Sequence, residues 1–245
     1  MGNEIQFNPN LQKKRWVGYF DLLGIKSLFK PENQLSLIKS LAESPAFKNK
    51  KNYLAPFQTI SIAIKETKKR VSNWKNIKYI WFSDTLIVYT DDPSKGAFVK
   101  INSFSRWFIY NLINKGVPIR GALSCDDFYV DRKNKLFFGE ALIEAYKYGE
   151  AQNWIGFILC PSVEEQFKYL GIKAENYTDY AYTYIPLKKG QSNLDSVHNR
   201  KLLAFVMKNF GYNSIIEKLR QMKESIDDKD IRSKYERTIE FNEQQ

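Results

Sequence analysis

The chain has 245 residues, 43% hydrophobic and 15% aromatic, which is enough to bury a sizeable core and excludes a disordered or fibrous protein. Its two cysteines, Cys125 and Cys160, form no CxxC pair and His198 is the single histidine, which excludes a disulfide scaffold and a Cys-rich or His-rich metal site. The formal net charge of +11 suits a generically basic protein and does not require a nucleic-acid partner. No apolar run reaches the roughly 20 residues of a membrane span, and the first 16 residues lack the apolar stretch of a signal peptide. Because the two cysteines also fit a reducing compartment, we expect a cytoplasmic protein.

Up to about residue 170, short β-branched and aromatic runs alternate with segments whose apolar residues recur every three or four positions. These patterns predict strands at 15–23, 77–82, 86–90, 117–125, 134–138 and 154–160, and helices at 34–43, 54–74, 97–115, 139–152 and 161–170. The second and third strands form a hairpin across Ser83-Asp84-Thr85. The order βααββαββαβα predicts an α+β fold with helices on a mainly antiparallel sheet.

The last part of the chain is less regular. The stretch 180–187 predicts an edge strand that is stopped by Pro186, and residues 199–241 have the charge-rich pattern of helices. We therefore expect one domain over residues 1–185 and a helical C-terminal extension over residues 186–245.

Two aspartates lie at strand ends among apolar neighbours, where an ionised carboxylate is costly to bury without a cation or several N–H donors. Asp21 ends the first strand, in YFDLLG, and Asp84 lies in the hairpin turn, in WFSDTL. On adjacent strands the pair would suit Mg²⁺ or Mn²⁺, hard ions that also bind phosphate. Taken singly, Asp21 also fits a helix cap and Asp84 a turn residue.

A glycine-led turn follows Asp21. Its residues, Gly24, Ile25, Lys26 and Ser27, are placed to aim backbone N–H groups and a helix N-terminus at an anion. Ligands for a cation and donors for an anion are therefore close together in the sequence.

Four segments follow the motif order of one known family. FDLLG (20–24), SDT (83–85), IRGALS (119–124) and FGEALIEAYKYGEAQNWIGFILCPS (138–162) resemble the F-x-D-I-x-G-F-T, G-D, R-x-G-I-x-x-G and G-x-x-V-N-x-A-A-R-L motifs of class III nucleotide cyclase catalytic domains. The match spans about residues 15–165. The last motif, in the form G-x-A-L-x-x-A-Y-x-x-(G)-E, is similar to that of bacterial pyrimidine cyclases of the anti-phage Pycsar type. The resemblance implies a ferredoxin-like or palm-type cyclase domain over residues 1–185.

The resemblance also implies a site. Asp21 and Asp84 would hold two divalent ions, Mn²⁺ or Mg²⁺, with the Leu22 carbonyl as a further ligand, and the turn from Gly24 to Ser27 would hold the triphosphate. The ions would activate the ribose 3′-oxygen for attack on the α-phosphorus and neutralise the departing pyrophosphate. A head-to-tail homodimer with sites at its interface is implied as well.

The chain departs from purine cyclases at the positions that read the base. Ile80 and Leu136 stand where the purine enzymes have a Lys and an Asp, and neither side chain can hydrogen-bond a base edge. This departure is compatible with a pyrimidine substrate.

The last motif departs too, since Ile143 and Lys147 replace its Asn and Arg. Lys147 would bring positive charge to the transition state as a point charge, and Arg120 or Lys26 would share that role. Each also has a plainer explanation, as a solvated helix lysine, a strand-end arginine and an exposed turn lysine.

These features predict a metal-dependent pyrimidine nucleotide cyclase that converts UTP or CTP into the 3′,5′-cyclic monophosphate and pyrophosphate. The resemblance implies that its product is a second messenger in anti-phage defence, read by a separate cyclic-nucleotide-binding effector. Two alternatives stay open, namely a catalytically degenerate cyclase-like sensor that binds a nucleotide or partner protein, and a palm-type enzyme acting on nucleic acid. The first function requires neither a membrane nor a nucleic acid.

Overall fold

An eight-stranded sheet runs through the described part of the chain, which in this computed structural model comprises residues 8–23, 55–71, 74–188, 200–207 and 214–245. Its strands are β1 (Gln12–Leu22), β2 (Lys78–Phe82), β3 (Thr85–Tyr89), β4 (Ile119–Asp131), β5 (Leu136–Phe138), β6 (Phe157–Leu159), β7 (Tyr180–Thr183) and β8 (Leu202–Phe205). The helices are α1 (Ala55–Arg70), α2 (Lys95–Asn114), α3 (Glu140–Ala151), α4 (Pro161–Tyr169), α5 (Ser214–Glu224) and α6 (Lys229–Gln244). The helix predicted at 34–43 and His198 lie outside the described residues.

The strands lie in the order β2-β3-β1-β4-β6-β8-β7, with β5 also paired to β4. β4 and β6 are parallel, joined by a crossover through α3, and the other pairs are antiparallel. The predicted α+β fold with a mainly antiparallel sheet is confirmed, and so is the hairpin between the second and third strands. β7 lies at one edge of the sheet, as the stretch 180–187 predicted.

Local signals set the ends of two helices. The Ser94 side chain caps α2 by accepting a hydrogen bond from the Ala97 N–H at 3.2 Å, and Gly116, with φ 76°, follows its C-terminus. Gly139 precedes α3 with φ 144°, and a Cβ there would lie 2.4 Å from the Asp127 carbonyl oxygen. Only glycine fits this position without strain, so the start of α3 is fixed by one residue.

Alternation along β1 decides which side chains reach the site. Trp16 and Phe20 are fully buried in the main core with the aromatic residues of α2. Val17 belongs to a smaller cluster with Ala141 of α3 on the other face. Because successive side chains of a strand point to opposite faces, Asp21 shares the α3 face with Val17.

The prediction of helix throughout 199–241 is wrong at Leu202–Phe205. These residues form β8, which lies between β6 and β7, and all four are buried. Leu203 and Phe205 join the main core, whereas Leu202 and Ala204 join a second cluster on the opposite face. A strand covered on both faces is a continuous apolar run without two-residue alternation, so its sequence does not distinguish it from a helix. The domain boundary at residue 186 stays a prediction.

Helices α5 and α6 make up most of the remaining described C-terminal residues, in line with the predicted helical character. No helix within the described ranges combines the length and apolarity needed to cross a membrane.

Candidate active site

The C-terminal end of β1 places Asp21 between two neighbouring strands. The antiparallel registers set it opposite Thr85 of β3 on one side and Arg120 of β4 on the other. Directly opposed residues share one face of the sheet, so the carboxylate and the guanidinium meet. Arg120 Nε lies 2.8 Å and Nη2 2.6 Å from Asp21 Oδ2. The Arg120 side chain is 5% exposed and that of Asp21 13%, which makes this a buried ion pair.

Arg120 also binds the C-terminal end of α3. Its Nη1 donates to the carbonyl oxygens of Glu150 and Gln152 at 3.0 and 3.1 Å, and Nη2 donates to Glu150 Oε1 at 2.6 Å. The last carbonyl groups of a helix lack intrahelical donors and carry partial negative charge, so a guanidinium is well matched to this end. Every nitrogen of the Arg120 guanidinium is therefore engaged.

Glu150 joins further groups to this cluster. The Tyr19 hydroxyl donates to Oε1 at 3.1 Å and Lys188 Nζ lies 3.1 Å from Oε2. Burial acts to raise the pKa of Glu150, but the positive charges of Arg120 and Lys188 outweigh it and the pKa is lowered. Tyr19, Asp21, Arg120, Glu150 and Lys188 are called the Arg120 network below.

Asp21 behaves differently from Glu150. Burial, opposed by the positive charge of Arg120, raises its pKa to about 6, and the negative charges of Glu150 and Asp84 contribute to the rise. A carboxylate with these surroundings is stabilised in its charged form by any additional cation that reaches it.

The β2–β3 hairpin brings Asp84 to the same end of the sheet. Ser83 and Asp84 form its two-residue turn, with Ser83 at φ 55°. The Leu22 N–H donates to the Asp84 carbonyl oxygen at 3.1 Å, which fixes the turn against the end of β1. Asp84 is half-buried. Asp84 is thus a turn residue, and it lies beside the strand end that carries Asp21.

The oxygen donors at this end suit a hard divalent ion. The two carboxylates and the Leu22 carbonyl are the ligand types that Mg²⁺ and Mn²⁺ accept, and both contacts from Arg120 reach Oδ2, leaving Oδ1 of Asp21 outside the ion pair. Within the described ranges, no group of three or more His, Cys, Asp or Glu side chains is arranged so that it could hold a metal ion by itself. A divalent ion here would therefore need phosphate oxygens of a substrate to complete its coordination.

The other predicted site residues are less closely connected. Lys147 is exposed on α3, one helical turn before Glu150, and Ile143 is 43% exposed one turn earlier. These two positions share one open face of α3 because they are four residues apart. The predicted phosphate turn, Gly24, Ile25, Lys26 and Ser27, lies outside the described residues.

The two positions considered for base reading lie in the sheet. Ile80 of β2 packs against the buried cluster that contains Val17 and Tyr89, and Leu136 begins β5 opposite Asp131. Both are partly buried, and both offer only apolar surface.

Sequence reasoning did not single out Glu150, Tyr19 or Lys188. Glu150 is the final residue of the motif that begins at Gly139, and this was the available signal. Tyr19 precedes Asp21 by two residues and so shares its face of β1, whereas nothing in the sequence indicates Lys188.

No family model matches the chain, and no curated protein matches it. Several solved structures are similar. The monomeric guanylyl cyclase domain of the RhoGC fusion protein from the aquatic fungus Blastocladiella emersonii has 11% identity and a TM-score of 0.49, covering 80% of this chain and 96% of that one. The guanylate cyclase domain of RhGC from Catenaria anguillulae in complex with GTP has 10% identity and a TM-score of 0.49, covering 79% and 96%. The adenylyl cyclase CyaB from P. aeruginosa has 12% identity and a TM-score of 0.46, covering 79% and 93%.

Proposed function

We propose that this protein is a metal-dependent nucleotide cyclase that acts on a pyrimidine nucleoside triphosphate. The observation that carries the proposal is the meeting of Asp21 and Asp84 at one end of the sheet, with Leu22 bonded to the Asp84 carbonyl. The four motifs that resemble class III cyclases include both residues, so the sequence pattern and the local geometry support the same assignment.

In this proposal Asp21, Asp84 and the Leu22 carbonyl hold the divalent ions. Bound Mn²⁺ or Mg²⁺ would supply activation of the ribose 3′-hydroxyl and neutralisation of the pyrophosphate leaving group. The Gly24-to-Ser27 turn, with Ile25 and Lys26, binds the triphosphate through its N–H groups.

Arg120 has a positioning role in this proposal. It fixes the Asp21 carboxylate through Oδ2 and is itself held by Glu150 and the end of α3. Stabilising the transition state directly, as considered from the sequence, would require Arg120 to leave these partners. No hydrogen bond or ion pair joins the Lys147 ammonium group to another residue in the described ranges, so Lys147 is the better candidate for that charge.

The pyrimidine assignment is supported by Ile80 and Leu136, whose side chains have no hydrogen-bond donor or acceptor. A purine reader needs donors or acceptors at these positions, and both side chains are apolar. Whether uracil or cytosine is preferred is decided by the experiment below.

A homodimer is part of the proposal. The open face of α3 carries Ile143, 43% exposed, Tyr146, 52% exposed, and Lys147. Docking of a second copy would cover these apolar groups and bring Lys147 toward the partner's substrate. Light scattering after size exclusion tests this arrangement, and a monomeric mass at working concentration would contradict it.

The product, a cyclic pyrimidine nucleotide, would be read by a separate effector in anti-phage defence, as the motif resemblance suggests. An adjacent gene encoding a cyclic-nucleotide-binding protein would support this part of the proposal.

The test is to incubate the protein with UTP, CTP, ATP or GTP and Mn²⁺ or Mg²⁺, and to measure cyclic nucleotide and pyrophosphate. We expect equal amounts of both products from UTP or CTP. Asp21→Asn and Asp84→Asn should each lose at least about 100-fold in rate, because each removes a ligand charge from the reaction centre. Asp227→Asn, which changes an exposed aspartate elsewhere, is the matched control and should keep full activity.

Absence of cyclic product with every triphosphate and both metals would refute the proposal. Tight triphosphate binding without turnover would instead favour the sensor alternative. One observation supports that alternative: every guanidinium nitrogen of Arg120 is already hydrogen-bonded within the protein. Steeply salt-dependent binding of DNA or RNA would favour the nucleic-acid alternative.

A further inference from the structure

A basic site, separate from the candidate active site, lies at the opposite end of the sheet from Asp21. There a cavity of about 750 Å³ opens between the start of β1, the start of β2 and the ends of β3 and β4. Its volume falls within the range of small-molecule sites, roughly 300–1,000 Å³. Arg15 lines it, and Arg15 precedes Asp21 on β1 by six residues, or about 20 Å of strand.

The charges around this cavity are unequal. Its described lining contains four cationic side chains and two carboxylates, namely Arg15, Lys78, Arg132 and Lys133 with Asp91 and Asp131. Asp91 is shared by Arg15 and Lys78. Asp131 accepts hydrogen bonds from the backbone and side chain of Asn134 at 3.0 and 2.7 Å, so its charge is committed to the β4–β5 turn.

Arg15 is the most informative residue of this cavity. Its side chain is 8% exposed, and its Nη1 donates to the Thr90 carbonyl and to Asp91 at 3.1 and 3.2 Å. Its Nε, however, is buried without a hydrogen-bond partner in the described part of the chain. Leaving a charged donor unpaired and buried is costly, so an acceptor at this point would be strongly favoured.

Two more cations have donors to spare. Arg132 uses Nε to bind the Tyr89 hydroxyl at 2.9 Å, and no hydrogen bond joins its Nη groups to other described residues. Lys133 is exposed beside it on the β4–β5 turn. A phosphoryl group has the several acceptor oxygens that such a set of guanidinium and ammonium donors requires.

Part of the remaining wall of the cavity is apolar, beside Asn8 and Tyr89. Pro9, Leu11 and Val130 contribute carbon surface next to the charged groups. We propose that this cavity binds a small organic phosphate, whose phosphoryl group is held by Arg15, Arg132 and Lys133 and whose apolar body lies against Pro9, Leu11 and Val130.

Binding of phenyl phosphate to the full chain, measured by isothermal titration calorimetry in EDTA, tests this proposal. We expect one saturable site, with weaker binding of inorganic phosphate because it lacks the apolar body. Arg132→Gln and Lys133→Gln should each weaken binding by about tenfold or more, since each removes charged hydrogen bonds. Both residues are exposed, so these substitutions do not threaten folding.

Lys135→Gln is the matched control, because it removes the same charge from the same turn without lining the cavity. It should leave the affinity unchanged, as should Asp21→Asn, because the candidate active site lies elsewhere. Arg15→Met should abolish binding if the variant folds. The proposal would be overturned by the absence of saturable binding, by unchanged affinity in Arg132→Gln and Lys133→Gln, or by loss of binding in Asp21→Asn.

Discussion

Replacing Arg120 by methionine removes the centre of the Arg120 network. Asp21 and Glu150 would lose their shared cation, and the carbonyl groups at the end of α3 would lose their donors. Because Arg120 is 5% exposed and Asp21 13%, water does not readily replace these contacts. Removing one partner of a buried ion pair costs about 3–5 kcal/mol. We expect the free energy of unfolding to fall by about that amount, a large fraction of the roughly 5–15 kcal/mol typical of folded domains.

Urea unfolding at pH 7.5, followed by tryptophan fluorescence, measures this loss. Arg220→Met is the matched control, since the Arg220 side chain is 47% exposed and its contacts with Glu217 and Glu243 are solvated. That variant should unfold at nearly the same urea concentration as the unmodified chain. The double variant Arg120→Met with Asp21→Asn should recover part of the loss, because no unpaired carboxylate then remains at the end of β1.

A loss below about 1 kcal/mol in Arg120→Met would refute the reasoning, because it would mean that solvent compensates the network as it does an exposed ion pair. Absence of any recovery in the double variant would show that the loss arises at Glu150 and α3 and not at Asp21.

Three further predictions concern titration, glycines and thiols. The pKa of Asp21 rises from 3.8 to about 6, so its contribution to the free energy of unfolding is fully present below about pH 4. That contribution declines by roughly 3 kcal/mol as the pH rises through 6. Urea titrations in EDTA should show this decline of the unfolding free energy with pH for the unmodified chain and not for Asp21→Asn. Gly96→Ala should raise the free energy of unfolding by about 0.5–1 kcal/mol, since an added Cβ meets no atom within 4 Å. Gly121→Ala should lower it by about 1–3 kcal/mol, since the Cβ would lie 2.5 Å from a backbone oxygen. Thermal melts in which both variants shift the melting temperature in the same direction would contradict this. Cys125 and Cys160 are fully buried and burial raises both pKa values, to about 12 for Cys125, so iodoacetamide should label them only in urea; rapid labelling of the native chain would show that the core opens.

Local pattern was sufficient for much of the fold. The β2–β3 hairpin and the start of α3 depend on residues near each other in the sequence, and the structure has them as predicted. β8 was not predicted because Leu202–Phe205 are buried on both faces, which removes the alternation of apolar and polar residues that identifies a strand.

For the candidate site, sequence alone indicated Asp21 and Asp84 as candidates, because both are charged residues at the ends of apolar strands. Tertiary structure alone decided their partners. Arg120 is 99 residues from Asp21 in the chain, and only the antiparallel register of β1 and β4 sets the two opposite each other. Glu150 reaches the pair because α3 ends above this strand end. Strand and helix signals are local, whereas register and packing are long-range, and long-range contacts determine which charges meet inside the protein.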